Sequence, residues 1–166
     1  MTTSLLDDAM AHHIWATERL IDACTDLPPE QLATPAPGTY GSILETFRHL
    51  VSADCWYLAF FRDEPQRLEE GTEAGLAELR SAITSNGTEW MELLATGLEG
   101  EADTAEKGDG WIFHAPTGFR LAQVVHHGTD HRSQICTALT SFGVEPPAID
   151  LWAYGGATGR TRPEYL

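Results

Sequence analysis

Residues 124–139 read VVHHGTDHRSQICTAL and indicate a long helix that carries histidines. Apolar residues recur around them at spacings of three and four, which predicts a helix over about residues 120–142, with Gly143 as its C-cap. His127 and His131 are four residues apart, so they lie one turn apart on a single helix face. Two imidazoles in that arrangement can bind one divalent ion, although helices without a metal also contain this spacing.

A third ligand for such an ion must come from another helix. His126 is not suitable, because consecutive residues point about 100° apart on a helix, and it is expected to be exposed beside Asp130. His49 is the best candidate, since it lies mid-helix between the expected core residues Phe47 and Leu50. The alternative is that His49 is a core histidine hydrogen-bonded to a neighbouring helix.

Three further helices are predicted. Apolar periodicity indicates a first helix over about residues 4–25. Ser42 and Glu45 form the S-x-x-E capping box of a second helix, which ends before Pro65. A third helix covers about residues 72–96, and with the histidine helix these elements favour an all-α four-helix bundle.

The connections between the helices differ in character. Residues 27–41 are rich in proline and glycine and predict a long ordered loop. Residues 108–121, GDGWIFHAPTGFRL, predict an irregular or hairpin-like connection. The tail that follows Gly143 carries aromatic residues and is expected to pack in part. We expect residues 1–166 to form a single domain.

Composition excludes several classes of function. The formal net charge is −15 and Lys107 is the only lysine, so phosphate backbones and anionic lipid surfaces would repel the chain. No apolar run is long enough to span a membrane. The first residues lack the basic and apolar regions of a signal peptide, so we expect a cytoplasmic protein that binds neither nucleic acid nor membrane.

The three cysteines do not predict a disulfide framework or a zinc knuckle. Cys24, Cys55 and Cys136 are widely spaced and form no C-x-x-C pair, which favours a reducing compartment. We expect each to be a small buried residue and not a nucleophile.

Other residues are weaker candidates for the site. Glu45 and Gln134 are candidate acceptors for the second ring nitrogens of His49 and His131, although the capping box already occupies Glu45. His12 and His13 are expected mainly at the surface, and the role of His114 stays open. Four tryptophans are candidate pocket walls, with core positions as the alternative: Trp15, Trp56, Trp111 and Trp152.

Two stretches resemble the histidine motifs of the DinB/YfiT-like superfamily of bacterial helical metalloproteins. They are GTYGSILETFRHLVSADCWYL at 38–58 and LAQVVHHGTDHRSQI at 121–135, in the same order and at a similar separation. AHHIWATERLIDA at 11–23 and DLWAY at 150–154 are also similar to that family. The resemblance therefore spans nearly the whole chain.

This resemblance implies a bundle of up-down-down-up topology, usually homodimeric, with one divalent metal. The implied ligands are one histidine of the second helix and two of the last, which are His49, His127 and His131 here. The chain departs from the family's NHxxHHRGQ-like motif at His126, at Asp130 and at Ser133, which replaces a glycine, and none of these changes removes an implied ligand. The roles of His126 and Asp130 stay open.

The family implies no single reaction. Its understood members include thiol-dependent S-transferases and isomerases that use thiols such as bacillithiol or mycothiol, and many others are known only as metal-dependent hydrolases. We expect a thiol-dependent S-transferase acting on small electrophiles. Its cofactors would be one divalent ion, zinc or nickel ahead of iron or manganese, and a low-molecular-weight thiol.

Two alternatives stay open. One is a metal-dependent hydrolase of a small substrate, for which Asp54 is the candidate general base. The other is a non-enzymatic stress protein that binds a metal or a small molecule.

Overall fold

The computed structural model describes residues 5–164; the first four residues, where the predicted first helix begins, and the last two lie outside the described residues. The elements in chain order are α1 (Leu5–Cys24), α2 (Pro29–Ala33), α3 (Ile43–Arg62), α4 (Leu76–Ala95), β1 (Asp103–Gly108), β2 (Trp111–Pro116), α5 (Thr117–Ser141) and α6 (Leu151–Thr158). Within residues 5–164, no helix is long and apolar enough to cross a membrane.

The four long helices form a bundle in which α4 and α5 each lie against both α1 and α3. Arg80, near the start of α4, binds Glu18 late in α1. Gly87, further along α4, lies against Ile14, earlier in α1. α1 and α4 are therefore antiparallel.

Contacts of α3 give the remaining directions. Asp54 binds Asn86 of α4, and the later residue Arg62 pairs with the later residue Glu92, so α3 and α4 are parallel. α3 and α5 are antiparallel, because the early part of α3 meets the middle of α5 and its last turns meet the start of α5. The topology is thus up-down-down-up, and the four-helix prediction is confirmed.

The core follows the periodicity of the sequence. Apolar residues at spacings of three and four form one stripe on each helix, and these stripes meet inside the bundle. The largest fully buried side chains are Met10, Leu20, Ile21, Ile43, Phe47, Leu50, Leu79, Ile83, Trp90, Leu121, Ile135 and Leu139. The bundle therefore has an extensive apolar core.

The predicted ends of α3 and α5 have the expected chemistry. Glu45 N–H donates to Ser42 Oγ at 3.2 Å and Ser42 N–H donates to Glu45 Oε2 at 2.8 Å, which confirms the capping box. α3 ends at Arg62, and its C-cap residue Asp63 adopts a left-handed conformation with φ of 54°. Gly143, just after α5, has φ of 75°, as a helix-terminating glycine requires.

Residues 103–116 form a two-stranded antiparallel hairpin, so the hairpin-like alternative is confirmed. Gly110, with φ of 76°, lies in its turn. Arg120 ties the hairpin to α5, because its guanidinium donates to Thr104 Oγ1 at 2.8 Å and to the carbonyl of Phe113 at 3.1 Å. β1 is thereby held beside α3 and the cleft described below.

Three predictions of the helix boundaries need correction. The loop at 27–41 contains the short helix α2, which begins at a proline, as first-turn positions allow. The third helix begins at Leu76, with Glu78 accepting from the N–H of Gly75 at 2.9 Å, and not at residue 72. α5 begins at Thr117, directly after β2. Part of the tail packs as predicted and forms α6.

Candidate metal centre

Three histidine side chains converge between α3 and α5. The Nε2 atom of His127 lies 3.1 Å from Nε2 of His49 and 3.1 Å from Nε2 of His131. One nitrogen of each ring lies within 4.8 Å of the other two. His131 is only 8% exposed, whereas His49 and His127 are half-buried. The structure thus brings together the three residues that the sequence singled out, at the edge of the core.

Gln134 determines which nitrogen of His131 carries the proton. The backbone N–H of Tyr40 donates to Gln134 Oε1 at 3.0 Å, so the amide oxygen must occupy that position. Nδ1 of His131 lies 3.0 Å from the same oxygen and must donate to it. The Nε2 lone pair of His131 is therefore directed at the other two histidines, and the predicted partnership with Gln134 is confirmed.

Glu70 has the same effect on His49. Its Oε1 lies 2.9 Å from Nδ1 of His49, and a carboxylate accepts, so Nδ1 donates and Nε2 keeps its lone pair. Glu70 belongs to the connection between α3 and α4, where no periodicity in the sequence indicated a role. Glu45, the candidate partner of His49 that the capping box was expected to occupy, caps α3.

Hydrogen bonds cannot satisfy all three rings. A neutral His127 has at most one proton on Nε2, which it can donate to His49 or to His131 but not to both. At least one of the two 3.1 Å contacts therefore has no hydrogen bond between its nitrogens. Burial and the neighbouring histidines lower the pKa of His127 to about 4, so protonation does not resolve this contact at neutral pH. Burial also lowers the pKa of His131.

A divalent cation would satisfy the three nitrogens together. Zinc binds imidazole nitrogen at about 2.0–2.1 Å, and tetrahedral geometry then separates two ligand nitrogens by about 3.3 Å. The two 3.1 Å separations are close to that value. The acceptors Glu70 and Gln134 correspond to the carboxylate or carbonyl partners that orient metal-binding imidazoles. The donor set therefore fits one divalent ion.

Tyr40 covers one side of the histidines. Its ring stacks on His49 with centroids 4.2 Å apart and planes 13° apart, and it meets His131 edge-on at 5.4 Å. The side chain itself is 52% exposed. Tyr40 lies in the proline- and glycine-rich connection before α3, where no sequence pattern indicated a role.

A cleft of about 460 Å³ opens beside His127. The residues that line it come from α3, the α3–α4 connection, β1 and α5: Ser52, Ala53, Trp56, Tyr57, Gln66, Glu70, Glu106, Gln123 and His127. A larger groove of about 730 Å³ adjoins it at Trp56, Gln66 and Glu106 but does not reach the histidines. A further cleft of about 410 Å³ opens on the other side, beside Tyr40, His49 and Glu70.

Only Trp56 of the four tryptophans suggested as pocket walls lines this cleft. Trp111 and Trp152 are 50% and 80% exposed. Trp15 packs edge-on against Tyr154, away from the histidines, with centroids 5.6 Å apart. These three tryptophans do not line the cleft beside His127, and Trp111 and Trp152 are not core residues either.

Asp54 is not a general base beside the metal site, and that interpretation is wrong. It is 2% exposed, and Oδ1 lies 3.0 Å from Nε2 of His13. Its oxygens also accept from Asn86 Nδ2 at 2.6 Å and from Trp90 Nε1 at 3.1 Å. Arg132 lies 2.9 Å from the other nitrogen of His13, which completes a buried network across all four bundle helices.

The remaining histidines take several positions. The surface expectation is wrong for His13, which is 1% exposed. His12 is half-buried, with Nε2 2.8 Å from the carbonyl of Ile149, and burial lowers its pKa. His126 is exposed as predicted. His114 lies in β2 with its Nδ1 2.7 Å from Asp103 and does not approach the site.

The cysteines lie outside the site. Cys24 and Cys55 are buried as predicted, whereas Cys136 is half-buried. Burial raises the pKa of Cys24 to about 12 and also raises those of Cys55 and Cys136. All three are thus poor nucleophiles at neutral pH.

Comparison with known proteins gives one result. The family model described as DinB family matches residues 1–162. No curated protein matches the chain.

Proposed function

The chain belongs to the DinB family, and we propose that it is a metal-dependent enzyme that joins a low-molecular-weight thiol to a small electrophile. The observation that supports this proposal is the convergence of three imidazole nitrogens, of which those of His49 and His131 direct their lone pairs at that of His127. His49, His127 and His131 would hold one divalent ion. When bound, such an ion favours the thiolate form of a thiol that reaches it.

The donor set narrows the choice of metal. Three neutral imidazoles with open positions suit zinc and nickel, whereas manganese prefers carboxylate and carbonyl oxygen. Among residues 5–164, no carboxylate joins the group of nitrogens; that of Glu70 bonds to Nδ1 of His49 and orients that ring. We therefore place zinc or nickel ahead of iron or manganese.

The need for an external thiol follows from the cysteines of the chain. None of them lines the cleft beside His127, and their raised pKa values keep them in the thiol form. The part of the chain that the structure describes thus offers no sulfur nucleophile at the site. A small thiol entering from solvent would supply it.

The cleft residues indicate how a substrate would be held. Trp56 and Tyr57 provide aromatic surface, and Gln123 provides an amide that can donate or accept hydrogen bonds. Glu70 and Glu106 are the charged residues of the lining. A neutral or cationic electrophile would fit this surface better than an anion.

The hydrolase alternative has less support, because Asp54, the base it relied on, is buried in another network. Spectroscopy of the cobalt-substituted protein distinguishes the remaining functions. We expect a small neutral thiol to produce a sulfur-to-cobalt charge-transfer band, which His127→Ala abolishes and His126→Ala keeps. Turnover with a panel of electrophiles should then require both metal and thiol.

A spectrum that is unchanged by every thiol tested would overturn the transferase proposal. Hydrolysis of a small ester without any thiol would instead support the hydrolase. Metal binding with neither activity would support a non-enzymatic binding protein.

A further inference from the structure

A chain of buried hydrogen bonds joins the two helices that carry the candidate ligands. Arg132 of α5 lies 2.9 Å from Nδ1 of His13 in α1, and Nε2 of His13 lies 3.0 Å from Oδ1 of Asp54 in α3. All three residues are at most 2% exposed, so they are buried in a core that is otherwise largely apolar. Asn86 and Trp90 of α4 also donate hydrogen bonds to the carboxylate of Asp54.

The direction of each bond is fixed. A guanidinium can only donate, so Nδ1 of His13 must accept from Arg132. The neutral ring then carries its proton on Nε2 and donates it to Asp54. A neutral imidazole thus bridges a buried cation and a buried anion, and no other arrangement of protons on that ring satisfies both partners.

Stability alone does not explain this network. Buried charged groups lose their hydration, and well-packed apolar residues of similar volume often stabilise a fold equally well or better. What a directional network adds is a definite rotation and register for the helices that carry it.

α5 needs such a constraint near its histidines. Val124 and Ile135 are fully buried apolar residues of this helix, but between them the buried positions are Gly128, His131 and Arg132. That stretch of α5 therefore has little apolar side chain to fix its rotation. A rotation by one residue, about 100°, would present His126 in place of His127.

The same number of residues separates a candidate ligand from a network residue on α3 and on α5, although the two antiparallel helices run in opposite directions along the bundle. Asp54 follows His49 by five positions in α3, and Arg132 follows His127 by five positions in α5. Five positions correspond to about 140° around a helix, so each helix presents a histidine to one side and a network residue to another. Holding Asp54 and Arg132 to the same His13 therefore also sets the orientation of His49 toward His127.

Gly128 sets the distance between α1 and α5 at the same level. A Cβ at this position would lie 2.3 Å from the ring of His13, so only glycine leaves room for the bridging imidazole. The site thus depends on a residue of α1, a helix that contributes none of the three candidate ligands.

From this geometry we infer that Arg132, His13 and Asp54 are positioning residues for the three-histidine centre. The inference rests on the proposed metal site. The network holds α3 and α5 at the relative rotation in which the three ring nitrogens meet.

Cobalt titration of the full-length protein tests the inference. Asp54→Asn keeps the shape of the side chain but removes its charge. Because Asp54 acts through the helices and does not bond to a ligand, we expect Co²⁺ affinity to fall by no more than the roughly 10- to 100-fold that loss of a direct partner of a ligand costs. The d–d spectrum should also change, since the three nitrogens no longer hold one geometry. Ile83→Val, a substitution in the apolar core of α4, is the control and should leave affinity and spectrum unchanged.

A second variant separates positioning from folding. His13→Leu, Asp54→Leu and Arg132→Met in combination replace the network by apolar side chains; we expect a helical, cooperatively unfolding protein with weakened cobalt binding and an altered spectrum. Wild-type affinity and spectrum in either network variant would overturn the inference while leaving the proposed function intact. Failure of the wild-type protein to bind cobalt, zinc or nickel would instead overturn the proposed function, and the inference with it.

Discussion

The Nε2 atoms of His49 and His127 lie 3.1 Å apart, although 78 positions separate the two residues in the chain. Their partners Glu70 and Gln134 leave the lone pairs of His49 and His131 directed at this space. A set of converging lone pairs is unfavourable without a cation. The relationship between His49 and His127 is therefore the basis of the first prediction.

His127→Ala should remove most metal binding. We expect zinc affinity to fall by more than the roughly 10- to 100-fold that loss of an outer partner costs, because a direct ligand is lost. The neighbouring His126 is exposed and points elsewhere, so His126→Ala provides a matched control with unchanged affinity. Metal content after dialysis and zinc titration measure both variants; equal occupancy in the two would contradict the site.

The partners of the ring nitrogens should also affect affinity. Glu70→Ala and Gln134→Ala each leave one imidazole free to rotate or change tautomer, and we expect zinc binding to weaken by about 10- to 100-fold. Glu73 lines the cleft of about 410 Å³ beside His49 and pairs with Arg48, so Glu73→Ala is the control. An equal loss in Glu70→Ala and Glu73→Ala would indicate a general charge effect and not orientation of His49.

Metal should stabilise the protein without being required for folding. The bundle has a large apolar core, so we expect the chelator-treated chain to stay helical and to unfold cooperatively. Free zinc at one hundred times its Kd should add about 2.7 kcal/mol to the free energy of unfolding. Thermal unfolding followed by circular dichroism should show this increase in the wild type and not in His127→Ala. Unfolding of the wild type on chelation would contradict the prediction.

The sequence predicted the fold and the three histidines because both depend on helical periodicity. His127 and His131 share a face by spacing alone, and His49 follows from its place beside core residues in α3. Ser42 and Glu45 predicted the start of α3 because a capping box is local. Local sequence patterns were therefore sufficient for those features that depend on the residues of a single helix.

The residues around the histidines could not be predicted in this way. Tyr40 and Glu70 lie in connections whose sequence has no periodicity. They contact the histidines only because the packing of the helices brings these connections beside the site. Asp54 and His13 were misinterpreted for a related reason: each is polar, and only the contact between α1, α3 and α5 shows that both are buried and satisfied. A glycine within the helical pattern at position 128 can indicate close approach of another helix, but that interpretation was not made.

The homodimer implied by the family stays a prediction. Trp111 and Phe113 lie on one face of β2 by the alternation of a strand and are 50% and 54% exposed. A second copy covering them would remove this apolar surface from water. We expect sedimentation at twice the mass of the chain, and dissociation by Trp111→Ser with Phe113→Ser but not by Trp152→Ser. A monomeric wild type at micromolar concentration would contradict the prediction.

Two helical glycines should respond to alanine in opposite directions. At Gly128 a Cβ would lie 2.3 Å from the ring of His13, and its neighbours in the buried network cannot move freely. Overpacking of this kind costs about 1–3 kcal/mol of unfolding free energy. Gly156 in α6 has nothing within 4 Å of its Cβ position, so Gly156→Ala should stabilise the chain by roughly 0.5–1 kcal/mol through helix propensity alone. Denaturant unfolding measures both, and a neutral or stabilising Gly128→Ala would show that α1 and α5 are not held at the distance that the His13 bridge requires.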